Sequence, residues 1–94
     1  MPKILIYRNI IFIIFSVDKY ESRFHIHVAK KSVHDFSPAK FWIEPKIELA
    51  KKGDFTNKEL NNIAQLIRRF DKEIKNQLKK FHSGENFKTI KIKK

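Results

Sequence analysis

Two histidines stand two residues apart in the segment Phe24-His25-Ile26-His27-Val28. Imidazole titrates near neutral pH, so such a pair can work as acid and base. It can also begin a metal site, because imidazole suits Zn, Ni, Cu or Fe; His34, Asp35 or Glu44 would then supply a third ligand. The plain alternative is a hydrogen-bonded polar face with no chemistry. A second segment, Ala39-Lys40-Phe41-Trp42-Ile43-Glu44, adds an ammonium, an indole and a carboxylate. Lys40 could stabilise developing negative charge, and Trp42 could stack on a base. His25, His27, Lys40 and Glu44 are therefore the candidate catalytic set. His82 falls at a helix end, where a cation favours the dipole, and reads as structural.

These side chains converge only if strands carry them. Alternation puts Phe24, Ile26 and Val28 on one face of a strand over Arg23–Lys30, with His25 and His27 on the other. A strand over Ala39–Glu44 separates Phe41 and Ile43 from Lys40, Trp42 and Glu44 in the same way. If the two strands are neighbours and the apolar faces meet a helix, the remaining face holds the histidines, Lys40, Trp42 and Glu44.

Other elements follow from pattern and punctuation. Lys3–Asn9 and Ile10–Val17 read as two further strands, and Ile47–Ala50 as a short fifth strand or an extended connection. Thr56-Asn57-Lys58-Glu59 matches a capping box. Apolar residues then recur at Leu60, Ile63, Ile67, Phe70, Ile74, Leu78 and Phe81, one helical stripe that predicts a single long helix to about His82. The expected fold class is α+β: a small antiparallel sheet of about four strands packed against one long C-terminal helix. Residues 1–84 make one domain. Residues 85–94 are a basic tail, frayed or forming an edge strand.

The run Ile10–Phe15 is too short to span a bilayer and lacks a small-residue cleavage site after it, so it reads as a buried strand. A cytoplasmic location without membrane contact is the expectation. Because this strand is apolar on both faces, a helix on one side would leave half of it exposed. A partner protein or self-association is expected to cover it.

The 94 residues carry 21 Lys and Arg against 10 Asp and Glu, a formal charge of +11. Seventeen of the basic residues are Lys, which an AT-rich genome could supply without selection for a partner. The helix face opposite the stripe holds Arg68, Arg69, Lys72, Lys79 and Lys80, either a solvated surface or a track for the phosphates of RNA or DNA. Absence of Cys excludes a disulfide framework and thiolate-bound metals. Two glycines, Gly53 and Gly84, cannot build a phosphate-cradling loop, and no cofactor is implied.

The opening Met1-Pro2-Lys3-Ile4, the His25-Ile26-His27-Val28 segment, Ala39-Lys40-Phe41-Trp42-Ile43-Glu44-Pro45 and Ile47-Glu48-Leu49-Ala50 together resemble a family of short bacterial proteins, domain of unknown function 4160. Gly53, Phe55, Lys58-Glu59-Leu60 and Phe81 continue the likeness, which covers roughly residues 1–82. The chain departs at Arg23, where members usually have Pro shortly before the histidines, and at Leu78, where they often have Trp. The resemblance implies the toxin of a type II toxin–antitoxin module. Its antitoxin would be a small protein resembling unknown-function family 2442, and its target RNA or translation. Ribonuclease-like activity is one form of that reading. The alternatives are a non-catalytic nucleic-acid-binding domain and a small metal-binding protein built on His25 and His27.

Overall fold

A computed structural model of the chain describes residues 3–14, 24–31 and 36–92. Five strands, β1 (Lys3–Tyr7), β2 (Ile10–Ile13), β3 (His25–Lys30), β4 (Ala39–Trp42) and β5 (Glu48–Lys51), pair in sequence order as an antiparallel meander. Two helices follow, α1 (Asn57–Arg69) and α2 (Asp71–His82), and the chain returns to pair β6 (Ile90–Ile92) parallel to β1. The sheet order is β5-β4-β3-β2-β1-β6.

The fold is α+β, but the expected four antiparallel strands and single helix are corrected to a six-stranded mixed sheet and two helices of 13 and 12 residues. The helix breaks at Phe70, whose φ of −106° and ψ of 24° leave the helical basin. The apolar stripe ran through this point without a signal for a good reason. Phe70 N–H still donates to the Leu66 carbonyl, and the Phe70 carbonyl accepts from Ile74 N–H. Phe70 therefore stays in the core with Leu60, Ile63, Ile67, Ile74 and Leu78. Leu78, the departure from the family pattern, is fully buried. The start of α1 follows its sequence closely: Thr56 Oγ1 accepts from Glu59 N–H at 3.2 Å, and Thr56 N–H donates to Glu59 Oε1 at 2.9 Å.

β6 is three residues long and needs the edge of β1 to exist. Buried Gln77 holds it there, donating from Nε2 to the Ile4 carbonyl at 3.2 Å and to the Lys88 carbonyl at 2.6 Å. One side-chain amide thus ties α2 to β1 and to the segment that leads into β6, and burying it is tolerable because its donors are used. Thr89 Oγ1 adds a bond to the Lys3 carbonyl at 2.8 Å.

The helices cover one face of the sheet, where Phe12, Ile26, Val28 and Phe41 join the helical stripe in a single cluster. The expected exposure of β2 is corrected: Phe12 and Ile14 are fully buried, and Ile13, at 6% exposed, is nearly so. Leu49, at 47%, is the exposed large apolar side chain among the described residues. Ile10 and Ile11 of the same strand are half-buried, and Phe15 lies outside the described residues. Part of the segment Ile10–Phe15 is strand β2, and among the described residues no helix is long and apolar enough to cross a membrane.

Candidate functional site

Register decides which side chains meet. β3 and β4 pair so that His25 lies opposite Trp42 and His27 opposite Lys40. These four residues share the face away from the helices, because Ile26 and Phe41, one step along, are in the core. The ring centroids of His25 and His27 are 5.4 Å apart, and His25 meets Trp42 edge-on at 5.4 Å. Lys40 Nζ sits 4.4 Å from the Trp42 ring centroid, a cation–π contact. Glu44 lies beyond the end of β4 in an exposed bend, so it is not a strand residue beside the others.

Access is the deciding property of this cluster. His25 is 3% exposed, and the Nε2 atoms of both histidines are buried. A general acid or base must come within hydrogen-bond reach of the proton it moves. Neither Nε2 is open to a substrate from solvent. The Trp42 ring is half-buried, with Lys40 over it and His25 against it, so its surface is already occupied in part. The arrangement reads as a packed polar layer that fixes β3 against β4. Among the described residues no group of three His, Asp or Glu side chains could hold a metal. His34 and Asp35 lie outside the described residues, as does Arg23.

The other predicted site residues are elsewhere. Arg68 and Arg69 in the last turn of α1, Lys72 in the first turn of α2, and Lys79 and Lys80 in its last turn are all exposed. They project from the helices on the side opposite the core stripe. Trp42 is therefore separated from them by the sheet and the helical layer, and the predicted nucleic-acid-binding group divides into two. Arg69 passes over the Phe70 ring at 5.2 Å. His82 stacks on Phe24, with ring centroids 5.0 Å apart and an interplanar angle of 12°, a packing role at the helix end.

One motif residue acts by shape. Gly53 has φ of +61°, and a Cβ there would fall 2.4 Å from the Ser37 carbonyl oxygen, so only glycine fits. The neighbouring Asp54 closes the same clasp: its N–H donates to the Ser37 carbonyl, and its carboxylate accepts from Ser37 N–H. Lys30, on the helix side of β3, pairs with Glu59 and lies over the rings of Phe36 and Phe55. That pair and the Thr56 cap hold the Glu59 carboxyl below its ordinary value.

The family model Domain of unknown function (DUF4160) matches residues 9–78, well over half of the chain and including β3, β4, Gly53, α1 and α2 as far as Leu78. The chain belongs to this family. No curated protein and no solved structure matches it. Within the DUF4160 chain, the segment carrying His25, His27, Lys40 and Trp42 is thus also the segment in which β3 and β4 pair.

Sequence reasoning missed a set of cations: Lys3, Arg8, Lys31 and Lys91, which the sheet gathers into one cleft of about 520 Å³. Their one local signal is the two-residue turn between β1 and β2, which Arg8 opens with φ of 55°.

Proposed function

We propose that this DUF4160 protein is the toxin of a type II toxin–antitoxin pair, and that it acts on RNA or translation by binding RNA without cutting it. One observation carries the mechanism: Arg68, Arg69, Lys72, Lys79 and Lys80 are exposed, whereas the Nε2 atoms of His25 and His27 are buried. Phosphates need only approach a cation, so an exposed basic face suffices for backbone binding. The toxin role is supported by the family likeness and by the chain's small size and +11 charge. A small acidic antitoxin would neutralise it by competing with RNA for the same cations.

Induction of the gene in a bacterial host, with and without its neighbour, tests this reading. Wild type and His25→Gln arrest growth, the neighbour relieves the arrest, and the variant with Glu at 68, 69, 79 and 80 grows normally. Normal growth with wild-type protein removes the toxin role and leaves a nucleic-acid-binding domain. RNA cleaved by purified protein, with cleavage lost in His25→Gln, would return the histidines to chemistry.

A further inference from the structure

We propose that the cleft formed by Lys3, Arg8, Lys31 and Lys91 is a second phosphate seat for the same RNA strand, reached from the helix face by way of Arg8. This inference rests on the RNA-binding reading above. The cleft lies where β6 runs beside β1, with Ile6 paired to Lys91. Ile6 and Ile92 also line it, and its cations come from β1 (Lys3), the turn after β1 (Arg8), the residue after β3 (Lys31) and β6 (Lys91). No carboxylate lines it among the described residues. Four cationic side chains around one concavity give it a positive potential that favours an anion.

Arg8 joins this cleft to the helices. It also lines a cleft of about 330 Å³ on the helix side, together with Asn62, Gln65 and Arg69. Arg69 belongs to the exposed basic face already described. A strand laid along α1 and α2 can thus pass Arg69, turn around the end of the sheet at Arg8 and enter the cleft between Lys31 and Lys91. Asn62 and Gln65 offer amides to phosphate or sugar oxygens on the way.

The backbone at Arg8 is a separate pointer. Its φ of 55° is a conformation that suits Gly or Asn, and Asn9 is the next residue. The Arg8 side chain projects from the turn over the Tyr7 ring, with Cζ 5.3 Å from the ring centroid, at the junction of the two clefts.

Fluorescence anisotropy with a single-stranded RNA oligonucleotide tests the seat, using Lys31→Glu/Lys91→Glu, Arg8→Gly and the control Lys46→Glu/Lys52→Glu. The control makes the same charge change as the double variant at two other exposed lysines. The double variant is expected to bind at least tenfold more weakly than wild type and to lose about 1.4 from the log–log salt slope, at about 0.7 per phosphate contact. The control should change less than threefold. Arg8→Gly should weaken binding at least threefold while its melting temperature stays level or rises. Inorganic pyrophosphate followed by amide NMR should shift Lys31 and Lys91.

If wild type binds RNA and the double variant matches the control, the seat is overturned and the helix-face reading stands. If wild type binds no RNA, the reading itself fails, and pyrophosphate shifts at Lys31 and Lys91 would then mark an anion site without an RNA role. Polyglutamate binding as tightly as RNA would make an acidic protein segment the occupant and would overturn this proposal.

Discussion

The sheet face with His25, His27, Lys40 and Trp42 and the helix face with Arg68, Arg69, Lys72, Lys79 and Lys80 differ in what they can reach. The first has the richer chemistry, with titratable rings beside an ammonium and an indole. Its two Nε2 atoms are buried, and its rings pack against one another and against Trp42. The second has only charge, and all of it meets solvent. Residue type proposes a function, and access selects among the proposals. Under the proposed function, the histidine face serves stability and the helix face binds the partner.

The largest effect separates the two faces directly. Reversing charge at Arg68, Arg69, Lys79 and Lys80 together should weaken single-stranded RNA binding about a hundredfold, about 2.7 kcal/mol, because several phosphate contacts go at once. The melting temperature should move little, since exposed charges contribute little to stability. Unchanged affinity would break the comparison at its binding side.

His25→Ala should do the reverse. Removing a ring that is 3% exposed leaves a cavity between β3 and β4 and should cost about 2 kcal/mol in denaturant unfolding. RNA affinity of the folded variant should stay within twofold. A variant as stable as wild type that has lost binding would exchange the roles of the two faces.

Gln77→Ala sharpens the account at the far edge of the sheet. It removes the donor to the Ile4 and Lys88 carbonyls and should cost about 1–2 kcal/mol. Hydrogen exchange at residues 90–92 should rise more than at β3, because β6 depends on that clamp.

Much of this division could be read before folding, and the unread parts share one cause. Alternation assigned His25 and His27 to one face and Ile26 to the other, as the register shows. The stripe from Leu60 to Leu78 is buried throughout. The break at Phe70 left no trace, because Phe70 and Ile74 keep their backbone bonds to the preceding turn across it. The strand Ile90–Ile92 depends on an edge and on Gln77, both distant in sequence. Burial of the histidine nitrogens depends on neighbours across the sheet. The cationic cleft assembles Lys3, Arg8, Lys31 and Lys91 from opposite ends of the chain. Local pattern gives faces; it does not give access or convergence.

The smallest effect concerns the joint between β3 and α1. The Lys30 ammonium and the Thr56 cap lower the Glu59 pKa in the folded protein. Stability from this group is therefore full above the ordinary carboxylate value of 4.5 and is lost as pH falls through the lowered folded value. Glu59→Gln should flatten the acid limb of the stability curve slightly and leave neutral-pH RNA binding unchanged. An equal acid slope in both proteins would show that the pair contributes nothing.

Salt dependence of RNA binding tests the central claim most directly. Anisotropy titrations of wild type between about 50 and 200 mM monovalent salt should give a log–log slope at least as steep as about −3.5, for about five phosphate contacts on the helix face at about 0.7 each. His25→Gln should give the same slope. A flat wild-type response, or a slope that collapses in His25→Gln while the helix-face variant keeps it, would contradict the account.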